Sequence, residues 1–240
     1  MKHELLKIRT LIKTVNEAKK ADAVLASLLF SALAYFSNDL IEKVMNDLGV
    51  PTYNYEIVEV PDGFKFLYVE FEDTEYVAFR GTLFSMWSNT KRVLNFLPKK
   101  DRDGVKMHRG FSMAFEDCNE VLEHLISREK PVIFTGHSLG GALALIAANH
   151  YGESAVTFAA PNVFFNQNMD GKVDHVGYRI KGDFVPHLPP TTFFFKWTRA
   201  KIEFMIDSKK KYFKQTKYHD LGLYISTLLE RYETHPPKEK

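Results

Sequence analysis

The chain is short of cysteine: Cys118 stands alone among 240 residues. That excludes an intrachain disulfide and leaves no second thiol for a Cys-x-x-Cys redox pair or a thiolate zinc site. A reducing compartment is permitted, and a cytoplasmic location is the expectation. An excess of one charge is lacking too. The 32 Lys and Arg are nearly matched by 30 Asp and Glu, and a net charge of +2 gives no basis for nucleic-acid binding. There is no internal repeat, and no apolar run is long enough to span a bilayer. The most leader-like run, Ala23 to Phe36, follows Lys19 and Lys20 and carries Ala32-Leu33-Ala34, in imitation of a secretory cleavage site. Two features oppose that reading. Glu4, Glu17 and Asp22 precede the run, and Leu25, Leu28, Leu29, Ala32, Leu33 and Phe36 recur at helical spacing, as in a helix that packs into a core.

At 45% apolar and 26% charged, the composition is that of an ordinary globular protein, and residues 1–240 are expected to form a single α/β domain. A helix runs through about residue 48 and is followed by Pro51. Glu56 to Val60, Lys65 to Glu72 and Glu75 to Phe79 read as strands, and the breaks at Pro61-Asp62-Gly63 and Glu72-Asp73-Thr74 make them hairpin neighbours. An irregular stretch to Met107, a helix over Gly110 to Ile126, and strands at Ala155 to Ala160 and His175 to Lys181 complete a mixed sheet. Its start is antiparallel and its later connections are crossover helices. Residues 235–240 read as a solvated tail.

The chemistry concentrates at Pro131 to Asn149. A β-branched and aromatic run, Val132, Ile133 and Phe134, enters Gly136-His137-Ser138-Leu139-Gly140, and a helix-forming run from Ala142 to Ala148 leaves it. Strand, sharp turn and helix in that order hold a serine in a strained backbone with its Oγ in open space. Glycines two before and two after let strand and helix pass closely. The next N–H, that of Leu139, points from the helix N-terminus toward a developing oxyanion.

A nucleophilic serine needs a base, and the base an orienting carboxylate, in the order Ser, acid, His when the elbow is of this kind. Asp170, Asp174, Asp183 and Asp207 lie between Ser138 and His219. Asp183 follows the His175 to Lys181 strand at its carboxyl end, where open parallel sheets gather function, whereas Asp174 precedes that strand. Among histidines, His187 is only four residues beyond Asp183 in a proline-rich loop, and His235 sits in the tail. His219 remains, just before an apolar helical run from Leu221 to Leu229. On position alone it can equally be a residue that only begins that helix.

Four motifs, in order, carry a resemblance that spans residues 21 to 226: Val77-Ala78-Phe79-Arg80-Gly81-Thr82; His108-Arg109-Gly110-Phe111; Thr135-Gly136-His137-Ser138-Leu139-Gly140-Gly141-Ala142; and Tyr178 through Pro190, YRIKGDFVPHLPP. With these the chain resembles the class 3, fungal-type lipases of the α/β-hydrolase superfamily. The resemblance implies an α/β-hydrolase fold, with a mixed, mostly parallel sheet, flanking helices and a lid. It implies Ser138 as nucleophile, Asp183 as acid and His219 as base, with Thr82 and Leu139 at the oxyanion. No cofactor or metal is expected. The implied activity is hydrolysis of lipid acyl esters in the manner of a triacylglycerol lipase. A phospholipase A1, a lysophospholipase or a short-chain esterase is the alternative, and a non-catalytic scaffold of the same fold a more distant one.

The lid falls on about residues 83–105. Phe84, Trp87, Leu94 and Phe96 make this connection unusually apolar, so it is read as a cover for the acyl pocket that contacts a membrane or lipid-droplet surface transiently when open. The basic run Lys209-Lys210-Lys211 with Lys214 and Lys217 reads either as a solvated face or as a patch for anionic head groups.

Overall fold

The computed structural model describes residues 2–17, 22–60, 63–81, 97–101, 103–166, 169, 172–191, 196–198, 202–208, 212 and 215–234. The chain opens with helices α1 (Lys2–Glu17), α2 (Ala23–Leu33) and α3 (Asn38–Asp47), followed by strands β1 (Tyr55–Glu59), β2 (Lys65–Phe71), β3 (Thr74–Phe79), β4 (Pro98–Lys100) and β5 (Lys106–His108). Next come α4 (Arg109–Leu125), β6 (Val132–His137), α5 (Leu139–Tyr151), β7 (Ser154–Phe158), β8 (Phe164–Phe165), β9 (His175–Ile180), β10 (Trp197–Thr198), β11 (Ile202–Ile206) and α6 (Leu221–Thr234).

Seven strands form the central sheet in the order β1-β2-β3-β6-β7-β9-β11. The β1–β2 and β2–β3 pairs are antiparallel, and every pair from β3–β6 to β9–β11 is parallel. This is the mixed, mostly parallel sheet that the hairpins and crossovers predict. Strand alternation sends Phe66, Tyr68, Val77 and Phe79 to one face, where they pack with Phe111 and Phe115 of α4 and Leu143 of α5. Leu67, Val69, Tyr76 and Ala78 go to the other, beneath α1, α2, α3 and α6. A sheet covered on both sides needs apolar residues facing both ways, which explains the near-continuous hydrophobicity of its strands.

The leader-like run becomes α2, and it is core. Asp22 caps its first turn by accepting from the Val24 and Leu25 N–H groups. Leu28, Leu29, Phe30 and Leu33 are fully buried, and Ser31 shares a 2.9 Å hydrogen bond with Thr135 of β6. Among the described residues no helix is long and apolar enough to cross a membrane.

Two features differ from expectation. A second, antiparallel sheet in the order β10-β8-β5-β4 occupies part of the stretch read as irregular, and β11 extends the main sheet by one unanticipated strand. The small sheet's strands are two or three residues long, too short to show any period. One consequence touches the expected cover over 83–105. Its C-terminal end is β4 with a turn in which Asp101 accepts from the Asp103 and Val105 N–H groups, so that portion is framework rather than cover. Thr82, Phe84, Trp87, Leu94 and Phe96 lie outside the described residues, as do the tail 235–240 and Lys209, Lys210, Lys211 and Lys214.

Candidate active site

The elbow at Ser138 is built by backbone contact. Ser138 has φ 60° and ψ −128°, a left-handed region that costs a non-glycine residue about 1–3 kcal/mol and persists only where its surroundings impose it. They do so here through the Ser138 N–H, which donates to the Phe158 carbonyl at 2.9 Å, and through the first turn of α5, where the Gly141 and Ala142 N–H groups return to the Ser138 carbonyl. The glycines permit close passage. A Cβ on Gly140 would collide with the Phe79 carbonyl, and one on Gly136 with the Gly140 backbone.

Asp183 arrives by a different route. Gly182 turns the chain after β9 with φ 97°, and the Asp183 N–H closes back on the Ile180 carbonyl at 3.0 Å. His219 ends a short 3₁₀ turn, Gln215–His219, from which Asp220 caps α6 by accepting from the Leu223 N–H. The three side chains named from the sequence meet. His219 Nε2 lies 2.8 Å from Ser138 Oγ, and His219 Nδ1 lies 2.9 Å and 3.1 Å from the two Asp183 carboxylate oxygens. All three are buried. An acceptor-only carboxylate assigns the imidazole proton to Nδ1, which leaves the Nε2 lone pair to accept the serine hydroxyl proton. His187, the rival base, is exposed on the loop beyond Asp183.

Three residues of the site were not singled out in the sequence. Tyr224 of α6 donates its hydroxyl to Asp183 Oδ2 at 2.8 Å and accepts the Ile180 N–H at 3.0 Å, so Asp183 holds three donors: Tyr224, His219 and the Val185 N–H. Burial, then the Asp183 charge, pushes the Tyr224 phenol well above its ordinary pKa, which keeps it a donor. His137 stacks beside His219 with ring centroids 4.7 Å apart, and Tyr35 approaches His137 Nδ1 at 3.2 Å. Tyr224 has a faint signal in the sequence, five residues past His219 in the apolar helical run that follows it. Tyr35, at the end of the apolar run, has none.

A cavity of about 690 Å³ opens onto the Ser138 and His219 side chains. Its walls come from Tyr35 and Phe36 after α2, from Leu221 and Ile225 of α6, and from Ile8 of α1, with Lys7 at its edge donating to the Gly222 carbonyl at 2.6 Å. The Leu139 N–H lies one residue beyond the serine at the start of α5. Such an arrangement is equipped for nucleophilic attack on a carbonyl, with proton transfer through an oriented imidazole. Among the described residues no group of three or more His, Cys, Asp or Glu could hold a metal ion.

Comparison with known proteins places these residues in context. Residues 76–193 match the model of the class 3 lipase family. A lipase of Rhizopus niveus is 33% identical over 145 residues, which cover 52% of this chain and 37% of that protein. The chain thus spans well under half the length of that curated relative. The structure of Rhizomucor miehei triacylglyceride lipase has the same fold, with a TM-score of 0.56 at 23% identity over 75% of this chain and 77% of that one. So does a triacylglycerol lipase whose catalytic centre is formed by a serine protease triad, with a TM-score of 0.57 at 22% identity over 79% and 81%.

Proposed function

Residues 76–193 match the class 3 lipase family, and from that premise we propose that the chain is a serine carboxylester hydrolase that cleaves acyl esters of lipids. The relay from Ser138 through His219 to Asp183, with contacts of 2.8 and 2.9 Å and with Ser138 and His219 lining the cavity, is the observation that carries the reading.

Ser138 Oγ attacks the ester carbonyl while His219 Nε2 takes its proton. Asp183 keeps the imidazole in the Nδ1–H tautomer and stabilises the imidazolium that forms. The Leu139 N–H and, by the family resemblance, Thr82 hold the oxyanion; donors of this type contribute about 3–4 kcal/mol in the best-studied case. His219 then protonates the leaving alcohol, and the acyl-enzyme is hydrolysed by a water that the same imidazole activates. Tyr35, Phe36, Leu221 and Ile225 give the cavity an apolar lining suited to a lipid ester. Phe84, Trp87, Leu94 and Phe96 supply an apolar cover whose opening meets an aggregated lipid surface.

The test is labelling of the purified chain with a fluorophosphonate, followed by an ester panel of triacylglycerol, phospholipid, lysophospholipid and short-chain p-nitrophenyl esters. Ser138→Ala is expected to lose labelling and to lower turnover by about 10³-fold or more. Labelling retained in that variant overturns the assignment.

A further inference from the structure

Part of the Ser138 cavity is walled by an element that lies outside the four motifs and outside residues 76–193. Helix α1 (Lys2–Glu17) places Lys7 and Ile8 on the same cavity as Ser138 and His219. Its own sequence seats it there. Ile8, Leu11 and Val15 recur at helical spacing, and all three are buried in the cluster that also holds Leu25 and Leu28 of α2 and Leu228 of α6. A hydrogen bond fixes α1 at the cavity edge: Lys7 Nζ donates at 2.6 Å to the carbonyl of Gly222, three residues beyond His219 in the first turn of α6. Gly222 gives the two helices room to meet, since a Cβ on it would lie 2.9 Å from Asp220 Oδ1 and 3.1 Å from Lys7 Nζ.

The cavity lining divides by chemistry. Ile8 of α1, Ala32 of α2 and Ile225 of α6 are buried, at most 4% exposed, and offer the cavity only hydrocarbon; Thr216, Lys217 and Asp220 are exposed and polar. Such a cavity suits an occupant with a hydrocarbon part and a polar part, and about 690 Å³ is a volume that buries most of a small ligand. Of the two halves of a lipid ester, the acyl half is linear and wholly apolar, and it stays bonded to Ser138 until water arrives. The alcohol half carries the polar substituents and departs to solvent. The acyl half therefore belongs against Ile8, Ala32 and Ile225, where each methylene leaves water.

We infer that α1 supplies a wall of the acyl-chain site and that Ile8 is a specificity-determining residue, whose bulk sets the length of acyl chain the site accepts. The inference rests on the hydrolase reading and deepens it, because it assigns the cavity to one half of the substrate and chain-length selection to a helix outside the matched stretch.

The experiment measures kcat/KM for p-nitrophenyl esters from acetate to palmitate, all presented in the same non-ionic detergent, for the full chain and its Ile8→Ala, Ile8→Trp and Leu6→Ala variants. Rates are expressed per site titrated with a fluorophosphonate, and each variant is divided by the wild type at every chain length. In the wild type each methylene that enters the site is expected to raise kcat/KM by up to about fourfold until the site is full. Ile8→Trp should end that rise at a shorter chain, with the palmitate-to-acetate ratio lowered by about tenfold or more, and Ile8→Ala should end it at a longer one. Should the tryptophan variant fail to fold, Ile8→Ala decides alone. Leu6, 60% exposed on the same helix and not part of the cavity wall, is the control, and Leu6→Ala should keep the wild-type profile. A loss that is uniform across chain lengths, with fewer titratable sites, marks a purely structural role and overturns the inference, as does a profile unmoved by either Ile8 variant or moved equally by Leu6→Ala. A parallel series of acetate esters with lengthening alcohols assigns the half: if the Ile8 variants shift that profile instead, the cavity holds the alcohol and the inference falls. A wild type that neither labels at Ser138 nor turns over any ester overturns the hydrolase reading and this inference together, whereas an active wild type with any of the other contrary results overturns this inference alone.

Discussion

Removing one oxygen, in Tyr224→Phe, tests whether Asp183 is held by its surroundings or only by His219. The ring is fully buried and stays in place, so the perturbation is confined to two hydrogen bonds: the hydroxyl to Asp183 Oδ2 at 2.8 Å and the Ile180 N–H to the hydroxyl at 3.0 Å. A bond to a charged group contributes about 1.5–3 kcal/mol, and a stranded buried N–H costs about 1–3 kcal/mol. The two share one atom and are not additive, so a loss of about 2–4 kcal/mol is expected, a sizeable part of the roughly 5–15 kcal/mol available to a domain. Catalysis should suffer less than folding. Asp183 keeps the His219 Nδ1 and Val185 N–H contacts, so the imidazole tautomer survives and only its aim loosens. An orientation loss of about 1.4 kcal/mol corresponds to a tenfold drop in kcat. Urea unfolding followed by tryptophan fluorescence gives the first quantity, and initial rates on a soluble ester at a temperature where the variant is folded give the second. A stability change below about 0.5 kcal/mol refutes the anchoring role. A kcat as low as that of an Asp183 variant shows that the tyrosine acts on the tautomer itself.

What was legible in the sequence follows the length of the elements that carry it. The elbow was readable because it joins a strand, two glycines and a helix within nineteen contiguous residues, Pro131 to Asn149, and each part has its own local signal. Asp183 was readable because a carboxyl end of a parallel strand is a position, and β9 has enough β-branched and aromatic residues to be seen. His219 was only half legible. No periodic pattern links it to Ser138, 81 residues away, and the family resemblance supplied what position could not. Tyr35 and His137 were not legible as site residues at all, and Tyr224 only faintly. Each contributes through a single hydroxyl or ring nitrogen facing across the sheet ends, and a core of this composition contains many aromatics that do no more than pack. The small sheet failed for a plainer reason: β8 and β10 each have two residues, and their pairing is imposed by the surrounding core rather than by propensity.

Four further expectations bear on the same framework. His219→Ala should match Ser138→Ala in turnover while His187→Ala loses far less, and Asp183→Asn should fall by about 10⁴-fold if the tautomer argument of the serine proteases transfers; kcat values on one soluble ester decide the ranking. Gly140→Ala forces a methyl into the Phe79 carbonyl, which cannot yield as a flexible side chain would, so a loss of about 3 kcal/mol or more in a urea titration is expected. Trp87→Ser should depress activity on liposomes or emulsified long-chain esters more than on a soluble short-chain ester, and equal losses refute the cover. The last concerns pH. His108 is fully buried against Phe111 with ring centroids 3.8 Å apart, and burial lowers its pKa from 6.5 to about 4. Between those values the unfolded chain binds the proton and the folded one does not, so stability is complete above pH 6.5 and drains away as the pH falls toward 4. From pH 7.5 to pH 5 the loss from this residue is about 2 kcal/mol. His137, shifted in the same direction, adds to the total in the wild type, so the measurement is a difference: urea unfolding at both pH values for wild type and for His108→Phe. The variant's loss between the two pH values should be smaller by about 2 kcal/mol, and an identical loss in both proteins shows that His108 takes up its proton as readily folded as unfolded.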